Sequence, residues 1–137
     1  MTTRVHAKKV SMADDGLHYC EGQPFTGVAY TEYPDGTLRS ETSYLDGLLS
    51  GPSRGWSKNG RLVDEAEYLR DVIHGVAREW TPEGVLISEM VCEYGVKKSE
   101  RKWDDDGTLV EEYVLDESDP NFALLQSFRK LYGPQPA

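Results

Sequence analysis

On either side of the segment Ser57-Lys58-Asn59-Gly60, apolar and charged residues alternate: Leu62, Ala66 and Tyr68 share one side of an extended chain, Glu65 and Glu67 the other. A period of two predicts a β-strand with one packed face. Met90 and Cys92 repeat the apolar side further on, and Glu89 and Glu93 the charged side. Between such runs stand the four-residue signals Tyr33-Pro34-Asp35-Gly36, Ser57-Lys58-Asn59-Gly60, Thr81-Pro82-Glu83-Gly84 and Asp104-Asp105-Asp106-Gly107. Pro at the second place and Gly at the fourth suit a type I turn whose glycine takes the left-handed conformation of a bulge. A tighter turn on Asn59-Gly60 would set Pro34 and Pro82 where a ladder N–H is needed. The bulged turn pairs Trp56 with Leu62, Trp80 with Leu86 and Trp103 with Leu109 across antiparallel hairpins.

These signals recur. Gly36, Gly60, Gly84 and Gly107 lie 24, 24 and 23 residues apart, and Leu38, Leu62, Leu86 and Leu109 keep the same step, as do Glu41, Glu65, Glu89 and Glu112. A fixed period over this many positions marks a repeat array. The predicted fold is mostly β: tandem antiparallel hairpins in a single twisted sheet, one domain over residues 1–137. A degenerate first repeat (4–26) precedes repeats 27–50, 51–74, 75–97 and 98–118. Within the first repeat residues 5–12 read as one strand. Asp119 as a cap, Pro120 and the helical spacing of Phe122, Leu125 and Tyr132 predict a terminal helix over residues 120–132. It would cover the final hairpin or one sheet face.

Charge narrows the chemistry. A formal net charge of −9 excludes direct DNA, RNA or anionic-membrane binding, which needs clustered Lys and Arg, and favours a basic partner. No apolar run approaches the ~18 residues that cross a bilayer, and residues 1–11 are polar, so the chain is expected in the cytoplasm. Cys20 and Cys92 read as free thiols on strands.

Counting by twos from the turns sets Arg54 opposite Asp64 and Arg101 opposite Glu111 on the tryptophan face, with Arg78 facing Ser88 and lacking a carboxylate. A stripe that recurs with the period reads as the repeat's own packing rather than a ligand site. His6, His18 and His74 show no ligand spacing, and there is no G-x4-G-K or G-x-G-x2-G motif. Asp104, Asp105 and Asp106 crowd one turn without the spaced oxygens of a calcium loop. The expectation is therefore a chain with no catalytic, metal or cofactor site.

The pattern G-x4-W-x3-G-x-L-x2-E-x2-Y-x2-G, clearest in residues 54–68 (RGWSKNGRLVDEAEY), resembles the MORN-repeat variant of bacterial antitoxin and immunity proteins of the YwqK type. The likeness spans residues 16–115, with Glu32 in place of Trp and Asp71 and Lys98 in place of Gly. It implies a non-catalytic protein that binds and occludes a cognate toxin, one acting on nucleic acid or nucleotides; the alternative is a scaffold for protein assembly. Acidic side chains would then meet the toxin's cationic groove, and the candidate contacts are the turn Asp104, Asp105 and Asp106 and the outer-face residues Glu65, Glu67, Glu89 and Glu93.

Overall fold

Each turn glycine closes its hairpin as the pattern requires. Gly36, Gly60, Gly84 and Gly107 donate their N–H to the carbonyl three residues back, at 2.9–3.0 Å, and all have positive φ. The computed structural model describes residues 3–133. Its twelve strands are β1 (Arg4–His6), β2 (Ser11–Met12), β3 (His18–Cys20), β4 (Gln23–Pro24), β5 (Gly27–Glu32), β6 (Leu38–Leu45), β7 (Leu48–Trp56), β8 (Leu62–Leu69), β9 (Val72–Trp80), β10 (Leu86–Glu93), β11 (Val96–Trp103) and β12 (Leu109–Val114). One helix, α1 (Pro120–Tyr132), follows them.

Strands β5 to β12 lie side by side in chain order, each antiparallel to the next, in a nine-stranded sheet. Trp56 faces Leu62, Trp80 faces Leu86 and Trp103 faces Leu109, as the turn length demands. The other ends of the hairpins close on two residues, both with positive φ: Asp46-Gly47, Arg70-Asp71 and Tyr94-Gly95. Asp71 holds the place of a glycine at φ 71°, and its carboxylate accepts the Leu49 N–H at 2.6 Å, a bond glycine cannot make.

The start of the chain departs from the expected single strand and single sheet. Residues 5–12 break at a 3-10 turn, Ala7–Lys9, where the His6 ring nitrogen accepts the Lys8 N–H. Strand β1 then runs parallel to β5 at the edge of the large sheet, while β2, β3 and β4 form a separate three-stranded sheet. What holds β1 there is local: the Val28 N–H donates to the Thr3 carbonyl, the Arg4 guanidinium lies 4.7 Å over the Tyr30 ring, and Arg4 pairs with Glu41.

A single sheet layer leaves little to enclose. The buried side chains are Phe25, Ala29, Cys92, Val96, Leu125 and one charged residue, Glu93. The three tryptophans are half-buried rather than sealed in a core. The chain exposes 8874 Å², against about 7,200 Å² for a compact monomer of 15.4 kDa. Helix α1 is capped by Asp119, which accepts the Asn121 N–H at 2.8 Å. It docks on the closed end of the β10–β11 hairpin, burying Leu125 and setting Phe128 and Tyr132 against Tyr94. No helix is long and apolar enough to cross a membrane, among the described residues.

Candidate partner-binding faces

The bulge beside each turn decides which charges meet. The pairing slips by one residue between Gly55 and Trp56, between Leu86 and Ser88, and between Lys102 and Trp103. A slip of one residue changes the face of everything beyond it. Arg54 therefore opposes Glu65, not Asp64, and Arg101 opposes Glu112, not Glu111. Arg78, expected to lack a carboxylate, has two: its Nη1 lies 3.2 Å from Glu65 and its Nε 2.9 Å from Glu89. Both, Glu89 foremost, hold the guanidinium above its ordinary pKa.

The result is one continuous row across seven strands, β6 to β12: Glu41, Arg54, Glu65, Arg78, Glu89, Arg101, Glu112. Opposite charges alternate at every step, which is the favourable cross-strand arrangement. The extra residue lies on the strand after each turn, so Arg54, Arg78 and Arg101 keep the face of the tryptophan two residues on, Glu65, Glu89 and Glu112 join them there, and the charges serve the sheet's own cohesion.

This arrangement sorts the expected contact residues. Glu65 and Glu89 belong to the row and are neutralised there. Glu67 is exposed and has no cation within 4 Å among the described residues. Glu93 is corrected outright: instead of lying on an open face it is 2 % exposed, takes a bidentate pair from Arg129 at 2.6 and 2.9 Å and a third bond from Lys98 at 3.2 Å. Those cations, Arg129 first, pull its carboxyl down to about 2. Asp104, Asp105 and Asp106 are all exposed, and Asp104 organises its own turn by accepting the N–H groups of Asp106 and Thr108.

On the opposite face Ser53, Ala66, Ala77 and Met90 stand in register across β7 to β10. Three of the four are small, so the sheet surface is sunk into an open groove of about 650 Å³. Asp64 and Glu79 face each other directly at its side. Both are exposed, and neither has a cation within 4 Å among the described residues. The Asp64 carboxylate folds over Gly55, with Oδ2 2.7 Å from where a Cβ would stand. Like charges on directly opposed strand positions destabilise a sheet. Two unpaired carboxylates above a small-residue floor offer only acceptors, the complement of an arginine or lysine side chain.

Counting by twos without the bulge paired Asp64 with Arg54 and passed over Glu79. The repeated turn signal carried the information: each bulge adds one residue, and counting it places Asp64 opposite Gly55 and Glu79. Among the described residues, no three His, Cys, Asp or Glu side chains cluster in a way that could hold a metal ion. Cys20 and Cys92 are free thiols, and burial pushes the Cys92 thiol upward.

Comparison with known proteins gives the same architecture a relative. Residues 25–46 match the family model described as MORN repeat variant. Over 111 residues the chain is 50 % identical to the immunity protein YwqK of Bacillus subtilis (strain 168), an alignment covering 81 % of this chain and 72 % of that protein. The crystal structure of accessory secretory protein 1, 2 and 3 in Streptococcus pneumoniae aligns with 97 % of this chain and 28 % of that one, at 12 % identity and a TM-score of 0.36. The GtfA/B complex bound to UDP and GlcNAc aligns with 89 % and 26 %, at 10 % identity and a TM-score of 0.33. In both cases this chain spans less than a third of the other's length, and the likeness is too slight to argue from.

Proposed function

Since the chain belongs to the MORN-repeat variant family that includes the Bacillus subtilis immunity protein YwqK, we propose that it is itself an immunity protein, which binds a cognate toxin and blocks it by occlusion. The observation that carries the mode of binding is the facing pair Asp64 and Glu79. An arginine or lysine of the toxin entering the groove would neutralise two carboxylates the fold leaves unpaired. The net charge of −9 supports a basic partner and would speed the encounter. A toxin domain that acts on nucleic acid or nucleotides has the matching cationic cleft, and the two would meet in the cytoplasm. Glu67, Asp105 and Asp106 supply further acidic contacts around the sheet.

The test is protection in cells. The protein encoded immediately upstream is expressed as the toxin, alone and with this chain or its Asp64→Asn/Glu79→Gln variant. The native chain should restore growth and the variant should fail while accumulating to the same level. Full protection by the variant would remove the groove from the mechanism; no toxicity or no protection by the native chain would remove the immunity role with that protein.

A further inference from the structure

Of the two edges of the hairpin series, one is paired by a further short strand of the chain itself, three residues long. At the β5 edge, β1 adds a strand from outside the hairpin series, and its Arg4 reaches over Tyr30 to pair with Glu41, the first acid of the alternating row. At the other edge, no described strand pairs with β12 apart from β11.

The row ends there unfinished. Glu65 lies between Arg54 and Arg78, and Glu89 between Arg78 and Arg101. Glu112 bonds Arg101 at 2.8 Å on one side only, and its side chain is 46 % exposed, against 26 % for Glu65 and 33 % for Glu89. The backbone is open in the same direction. The Leu115 N–H donates to the Lys98 carbonyl, and alternate residues of an antiparallel pair bond to the same neighbour. Tyr113 and Glu111 accordingly turn their amides to β11, and Val114 and Glu112 turn theirs outward. Val110 and Val114, 61 % and 69 % exposed, give an incoming strand apolar contacts.

We infer that the free edge of β12 is a strand-docking site for an extended basic segment of the partner, which bonds the outward amides of Glu112 and Val114 and seats an arginine or lysine beside Glu112. The occupant is not a second copy of this chain, because antiparallel self-pairing here would set glutamates of the Glu111-Glu112 pair against one another. This edge deepens the binding reading above and rests on it for the partner's identity, but the docking itself is tested without that partner.

Strand β11 already shows the required pairing, since its Arg101 stands opposite Glu89 of β10 as an incoming cation would stand opposite Glu112. The probe is therefore a capped peptide of residues 96–103, VKKSERKW, titrated into the isotope-labelled full chain and followed by backbone amide shifts. The shifts should concentrate on residues 109–114. A peptide with Arg101→Glu should bind roughly five- to ten-fold more weakly. Glu112→Arg in the protein should reverse that preference, and Val114→Pro, which removes an outward N–H that β11 does not use, should abolish binding with circular dichroism unchanged. No binding by the native peptide, shifts centred on the groove, or equal binding of both peptides would overturn the site. So would a stable dimer of the free chain that Val114→Pro dissolves, which would make a second copy the occupant. Loss of partner binding in the groove variant with peptide docking intact would separate the two surfaces.

Discussion

Replacing Glu93 with glutamine should loosen the helix from the sheet. Glu93 is 2 % exposed and is the one charged side chain buried in the described fold. Its two oxygens take Arg129 at 2.6 and 2.9 Å and Lys98 at 3.2 Å, so a single carboxylate ties α1 to the β10–β11 hairpin. The carboxyl titrates at about 2 in the folded chain against an ordinary 4.5. That difference is worth about 3 kcal/mol, since every tenfold change in a proton-binding constant corresponds to about 1.4 kcal/mol. The folded value is the depressed one, so this stability is fully present above pH 4.5 and is lost as the pH falls toward 2. Urea denaturation, followed by tryptophan fluorescence for the sheet and far-ultraviolet circular dichroism for the helix, should show Glu93→Gln destabilised by about 3 kcal/mol at neutral pH. The gap to the native chain should close as the pH approaches 2. Arg129→Met should cost a similar amount, and the double variant little more than either alone. Equal urea midpoints at neutral pH, or a gap that persists at the acid end, would show that the triad does not anchor the helix.

Trp80→Ala removes a half-buried ring, so the loss should be about 2 kcal/mol rather than the larger cost of an enclosed core aromatic, read from the melting temperature; an unchanged value would mark the ring as a contact residue. Arg78→Ala leaves Glu65 and Glu89 without the cation between them and should cost about 1–2 kcal/mol in urea denaturation, more than Arg101→Ala near the edge. Asp64→Asn relieves the like-charge pair with Glu79, so it should raise stability by roughly 0.5 kcal/mol while weakening partner binding. If Asp64→Asn lowers the melting temperature, the two carboxylates are not in conflict.

The hairpins were legible because their determinants are local. A Pro or Asn followed by a turn glycine, with Trp and Leu at fixed distances, specifies the turn and the first pair beyond it, and Trp56 against Leu62 follows from residues six apart. The charged row was legible in composition but not in pairing, since one bulge residue on the strand after each turn brings Glu65, Glu89 and Glu112 to the face of Arg54, Arg78 and Arg101. Glu93 looked like Glu89 by parity alone. Its burial depends on Arg129, 36 residues away on a helix whose docking no strand pattern records. The parallel placement of β1 was equally hidden, because three residues show too little periodicity to choose a neighbour, and it rests on Arg4 finding Tyr30 and Glu41. Asp64 and Glu79 became visible as a pair only once the bulges were counted, which is why the groove was missed.

The most direct test is a calorimetric titration of this chain with the protein encoded immediately upstream, at two salt concentrations, with the native chain and the Asp64→Asn/Glu79→Gln variant. A one-to-one complex is predicted, weaker at the higher salt and at least roughly ten-fold weaker for the variant, since two charge-assisted contacts are lost. No complex, or a complex whose affinity ignores both the salt and the two substitutions, would contradict the account.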